Sequence, residues 1–218
     1  MKKVYKPLFE PFTFHNGVQL KNRVVMAPMT TFSANPDDSA SDAELDYYAA
    51  RSNGPGMVIT ACAYIQVNGK GFEGQFAADR DTMIPSLRSV ASSIKEKGAK
   101  AVLQIFHGGR LAVPHLIPNG ETVSASSVAP RLDRGFYSVD KAPRSLSDEE
   151  VVQLIQDFGE ATRRAIEAGF DGLNFTGQLV ILFNNFSLLI LILEQIAGEE
   201  ALKNDLPFHL RSLRKRKE

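Results

Sequence analysis

Along the chain, short runs that are apolar at nearly every position alternate with longer stretches whose apolar residues recur every three or four positions. The continuous runs are RVVMAPM at 23–29, GMVITACAYI at 56–65 and KAVLQIFHGG at 100–109, and FDGLNF opens a fourth at 170. A run without polar alternation suits a strand covered on both faces, as parallel strands are. The periodic stretches read as helices. SDAELDYYAARSNG has Ser41 and Glu44 at capping-box spacing and Gly54 placed to end it. IPSLRSVASSIKEKG puts Ile84, Leu87, Val90, Ala91 and Ile94 on one face. SLSDEEVVQLIQDFGEATRRAIEAG carries a second capping box, Ser147 with Glu150, and Gly169 at its close. Its expected apolar stripe is Val151, Leu154, Ile155, Phe158, Ala161 and Ile166.

Ahead of the first run, FTFHNGVQLKNRV predicts a hairpin, with Asn16-Gly17 suited to a type I′ turn. A long connection, roughly 110–146, holds Pro114, Pro118, Pro130 and Pro143. Strand–helix alternation with apolar strands predicts an α/β fold of parallel strands and right-handed crossovers. About four such units are either half of a (β/α)8 barrel, the hairpin plugging its base, or a small open sheet. The glycine fingerprints of dinucleotide and phosphate loops are missing, which weakens the open nucleotide-binding sheet.

Composition narrows the function classes. The 218 residues carry no formal net charge, so neither nucleic acid nor an anionic membrane is an expected partner. A single cysteine, Cys62, excludes an internal disulfide and suits a reducing compartment; the cytoplasm is expected, since MKKVYKPLFEPF lacks an apolar signal core.

In a barrel the chemistry sits at the C-terminal strand ends. Those ends are APMT (27–30), TACAY (60–64) and LQIFHGGR (103–110). Gln104 stands out, because an amide inside AVLQIF needs partners for one acceptor and two donors. A planar heterocycle with imide-like edges satisfies it; so does a neighbouring loop. His107 with Gly108, Gly109 and Arg110 either lines a cavity or forms a turn around a bonded histidine. Thr30 offers a strand-end hydroxyl or is a turn residue. Cys62 reads as a buried core thiol, and His15, His115 and His209 fall into no metal-ligand spacing.

PLFEPFTFHNGVQLKNRVVMAPMTT, MVITACAYI, GAKAVLQIFHGGR and FGEATRRAIEAGFDG together resemble the old yellow enzyme family of FMN-dependent NAD(P)H oxidoreductases, over about residues 5–172. The resemblance implies a (β/α)8 barrel, FMN at its top, NADH or NADPH as reductant and a small-molecule substrate such as an activated alkene. It places Pro28, Met29 and Thr30 at the flavin-contacting first strand end, Ala61 as a backbone contact at the second strand, and Gln104 at the flavin pyrimidine edge.

After Gly172 the resemblance breaks. The family's substrate-binding His and Asn and its Tyr proton donor are not in place, so no catalytic residue is assigned, and no metal or substrate ligand. Residues 173–218, apolar and then basic, are compatible one reading register over with the family's own residues in order. They are expected to be out-of-frame sequence after a single-nucleotide loss near codon 172. The resulting chain is an N-terminal half-barrel of about four units with an impaired or absent cofactor site. The rival expectations are a catalytically dead half-barrel that self-associates as a homo-oligomer, and a membrane anchor at 179–197.

Overall fold

The computed structural model describes residues 2–129 and 141–176. A 3-10 stretch, Lys3–Phe9, leads into a hairpin of β1 (Phe12–Thr13) and β2 (Gln19–Leu20). There follow β3 (Val25–Met26), α1 (Asp42–Arg51), β4 (Met57–Tyr64), α2 (Ile84–Lys95) and β5 (Lys100–Phe106). The long connection contributes β6 (Val123–Ser124) and β7 (Arg144–Ser145), a short parallel pair, before α3 (Asp148–Ala168) and β8 (Gly172–Phe175).

The main sheet has the order β3-β4-β5-β8, every neighbouring pair parallel. The order follows the chain without reversal, and α2 packs against both α1 and α3. A doubly wound sheet would reverse its order and place helices on both faces. A sequential parallel arc with one layer of helices outside is a section of (β/α)8-barrel wall.

The core lies between strands and helices. Val58, Ala101, Leu103 and Ile105 face Leu87, Val90, Ile94, Leu154, Phe158 and Ala161, all buried. The alternate strand residues face the other way. Met57, Ile59, Lys100, Val102 and Gly172 line a cavity of about 330 Å³ closed from below by Phe14, Asn16 and Val18 of the hairpin. The hairpin therefore sits under the N-terminal ends of the strands, as a plug would.

Several local expectations are corrected. The hairpin turn is not type I′. Gly17 alone has positive φ (85°), Gly17 N–H closes on the Phe14 carbonyl at 2.9 Å, and Asn16 Oδ1 accepts from Val18 N–H at 3.1 Å. This is a longer turn in which only the glycine is left-handed. The run at 23–29 yields a strand of two residues at the sheet edge, with Val24 and Val25 39% and 44% exposed, rather than a buried strand. α1 ends at a Ser52 cap, ahead of Gly54. In α3 the Ser147–Glu150 box forms and Gly169 adopts φ 91°, but Ile166 is 67% exposed. The buried face instead continues from Phe158 and Ala161 through Thr162, Ala165 and Ala168.

Candidate active site at the strand tips

At the C-terminal end of the sheet the register aligns Cys62 with Gln104 and Gln104 with Asn174. Gln104 lies between Leu103 and Ile105, which face the helices, so its own side chain is on the inner face. It is buried, and its Nε2 donates to Asn174 Oδ1 at 2.8 Å. The amide thus has one neighbouring-strand partner, and it stands where a barrel's ligand would lie.

The pairing of β4 with β5 slips between Ile59 and Cys62. Such a bulge re-aims side chains and is common beside active sites. Here Gln104 N–H donates to the Thr60 hydroxyl at 3.2 Å in place of a ladder bond. Ala61 turns to the helix side: its N–H donates to Tyr48 Oη at 2.7 Å, and its carbonyl accepts the Thr60 hydroxyl at 2.9 Å. Cys62 is the inner-face neighbour of Gln104. Burial pushes the Cys62 thiol up to about 12, so it stays protonated; Gln75 Nε2 contacts both its carbonyl and its sulfur.

Pro28, Met29 and Thr30 follow β3 directly. Pro28 is half-buried, while Met29 and Thr30 are exposed at the same end of the sheet. The next residues are strapped down. Phe32 and Asp38 both hold positive φ, 53° and 67°, a conformation such side chains seldom adopt. Asp38 accepts the Tyr64 hydroxyl at 2.6 Å, pairs with Lys70, and through its carbonyl accepts Ala77 N–H at 3.0 Å. Ala34 N–H bonds the Gly74 carbonyl at 3.0 Å. The loops after β3 and β4 are therefore one fastened unit.

His107 is a structural histidine. Its Nδ1 accepts from Gly109 N–H at 3.0 Å, which leaves Nε2 to donate to Asn68 Oδ1 at 3.1 Å, and burial pulls it down to about 4. A Cβ at Gly69 would lie 2.4 Å from the ring, so glycine is required there for the ring to pack. Arg110 is buried and bonded to Ser124 Oγ at 2.9 Å and the Val128 carbonyl at 2.9 Å. Among the described residues no group of three metal-ligating side chains exists, and no helix is long and apolar enough to cross a membrane. The segment 179–197 lies outside the described residues.

The sequence reads Glu44 only as the capping-box partner of Ser41. It occupies the capping-box position of α1, but only half the box forms: Ser41 Oγ accepts Glu44 N–H at 3.3 Å. The carboxyl turns inward instead. Its Oε1 accepts the Thr31 hydroxyl, while its Oε2 is buried without a hydrogen-bond partner among the described residues. Burial raises its pKa from the ordinary glutamate value, and the Thr31 and Ser41 bonds oppose that only in part. Folding thus favours the acid form. That stabilisation is complete below the unfolded value of about 4.3 and is lost as pH rises through the raised folded value. Glu44→Gln cannot ionise yet still accepts from Thr31. It is expected to be more stable than the parent in urea melts at pH 8 and to lose that advantage at pH 4.

Consecutive parallel β/α units with buried polar side chains at the strand tips define a barrel of the kind whose reactions run at that end. The chain belongs to the NADH:flavin oxidoreductase / NADH oxidase family, whose model matches residues 7–191. It is 48% identical over 186 residues to the probable NADH-dependent flavin oxidoreductase YqiG of Bacillus subtilis (strain 168), covering 85% of this chain and 48% of that one. It is 41% identical over 180 residues to the NADH:fumarate oxidoreductase of Klebsiella pneumoniae (strain 342), covering 82% of this chain and 19% of that one. The chain thus spans about half the length of the first relative and less of the second. Morphinone reductase, solved with tetrahydroNAD, superposes with a TM-score of 0.77 at 22% identity, over 89% of this chain and 62% of that one. The old yellow enzyme homologue from Zymomonas mobilis gives 0.77 at 24%, over 88% and 59%. At such identities the likeness is one of fold, and the fold is the (β/α)8 barrel.

Proposed function

We propose that the described residues form the pyrimidine-edge part of an FMN cradle in an NAD(P)H-dependent oxidoreductase that acts on a small molecule in a reducing, cytoplasmic setting. The observation that carries the reading is Gln104, a buried amide on the inner face at the strand tips. Its donor and acceptor chemistry suits the imide edge of a flavin, and Thr30, four residues beyond β3, supplies a hydroxyl at the same end of the sheet. Pro28, Met29 and the Ala61–Cys62 bulge would complete that edge, with Ala61 acting through the neighbour it re-aims, since its own N–H is taken by Tyr48.

The fit covers one end of the cofactor. Among the described residues the inner face offers no cluster of cations for a phosphate: Lys100 Nζ is bonded to Asp171 Oδ1 at 3.1 Å, and the Arg110 guanidinium is engaged by Ser124 and Val128. When bound, FMN supplies the hydride carrier between the nicotinamide and the acceptor. The protein's own part at this end is to fix the ring by its polar edge and to hold water off it. Gln104→Leu is expected to weaken residual FMN binding about tenfold, the effect of losing one well-made buried hydrogen bond or slightly more. Equilibrium dialysis of both proteins checks this, and equal affinities would overturn the reading.

We further propose that residues 173–218 are read out of register after a single-nucleotide loss near codon 172. The reading rests on the family's own residues recurring in order one register over, and the family match to 191 in the given frame weighs against it. Gly172–Phe175 still forms β8, because Leu173 and Phe175 keep the alternation a strand needs there. Resequencing the locus decides it: the expected result is a missing base, and an unbroken frame in independent isolates would end the idea. A second reading, self-association through the sheet edge, is favoured by the exposure of Val25 on β3 and of Val24 just before it. A discrete dimer on a sizing column supports it.

A further inference from the structure

We propose that Glu44 and Tyr48 are positioning residues, and that from one face of α1 they set both strand ends facing the cofactor. The proposal rests on the flavin-cradle reading above. The two residues are four apart, hence stacked on the same side of the helix, and each is 1% exposed. Glu44 Oε1 holds the hydroxyl of Thr31, the neighbour of Thr30. Tyr48 Oη holds the N–H of Ala61 at 2.7 Å, at the bulge that brings Cys62 beside Gln104. One helix face thereby fixes the segment that follows β3 and the bulge of β4 relative to each other.

Stability alone does not explain the carboxyl. A buried Oε2 without a partner among the described residues is a net cost, and an apolar side chain of similar size would serve the core better. What an apolar residue cannot do is hold the Thr31 hydroxyl. Tyr48 shows the same logic: phenylalanine would fill its site but leave the Ala61 N–H, and with it the bulge, without an acceptor.

The test uses Glu44→Met, Glu44→Gln, Tyr48→Phe and Gln104→Leu in the full chain, with three readouts: thermal midpoint, amide exchange of the strand-end segments, and FMN affinity by equilibrium dialysis. Glu44→Met should keep or raise the midpoint while exchange in residues 28–33 rises at least tenfold and residual FMN affinity falls about tenfold. Glu44→Gln should restore both local readouts, and Tyr48→Phe should raise exchange in residues 60–63. If Gln104→Leu leaves FMN affinity unchanged but Glu44→Met still loosens 28–33, the flavin reading falls and the anchoring stands. If Glu44→Met leaves exchange in 28–33 unchanged, the anchoring falls whatever Gln104→Leu does. It falls equally if exchange rises throughout the molecule with a lowered midpoint that Glu44→Gln does not rescue.

Discussion

Phe158→Ala is expected to lower the unfolding free energy by about 3–5 kcal/mol, the cost of emptying a large aromatic site in a core that relaxes only partly. Phe158 is buried in the middle of α3, between the strands and α2, with its ring 6.0 Å from that of Phe175 on β8. Its loss therefore loosens both the helix layer and the last described strand. Domains are commonly stable by only about 5–15 kcal/mol, so the variant should lie near the edge of folding at 37 °C. Urea melts with an unchanged slope and a lowered midpoint would measure this. A change below about 1 kcal/mol would mean that α3 is not seated as described. Ile166→Ala, on the exposed side of the same helix, should change stability by no more than about 0.5 kcal/mol.

The second large effect is catalytic. NAD(P)H-driven reduction of an activated alkene by the purified chain is expected to be indistinguishable from the rate of free FMN. Transition-state stabilisation by an enzyme is worth at least about 8 kcal/mol, and it depends on groups held against the reacting atoms. The described strand tips present two amides, Gln104 and Asn174, with hydroxyls and a protonated thiol. His107, the one buried histidine among the described residues, is fastened between Gly109 and Asn68 and pulled down to about 4, so it is neither a proton donor nor a carbonyl ligand at neutral pH. No described side chain at the tips combines an accessible proton with a suitable acidity. Stopped-flow reduction with NADH and NADPH, followed by addition of acceptor, checks this, and turnover well above the free-flavin control would contradict it.

Much of this architecture is legible in the sequence. The apolar runs at 56–65 and 100–109 and the helices at 84 and 147 carry strong, mutually consistent signals, because core-facing positions dominate them. Gln104 is legible for the same reason, as the polar exception in an apolar strand. What stays hidden depends on chain pairing. A run without alternation cannot reveal a bulge, so the place of Cys62 beside Gln104 on the inner face is invisible before β4 and β5 are paired. Glu44 reads as half of a capping box, and only the packing of α1 shows its carboxyl turning to Thr31. Asn174 becomes a partner of Gln104 through strand register. The edge position of β3 follows from which strands lie beside it, not from its own residues.

The most direct measurement is the FMN content of the purified chain after equilibrium dialysis against excess cofactor, read from flavin absorbance per mole of protein. If the proposed pyrimidine edge of Thr30, Gln104 and their neighbours and the proposed loss of register after codon 172 both hold, the chain should give well below one FMN, reduced further by Gln104→Leu. One tightly held FMN per chain, indifferent to Gln104, would contradict both the cradle as assigned and its incompleteness.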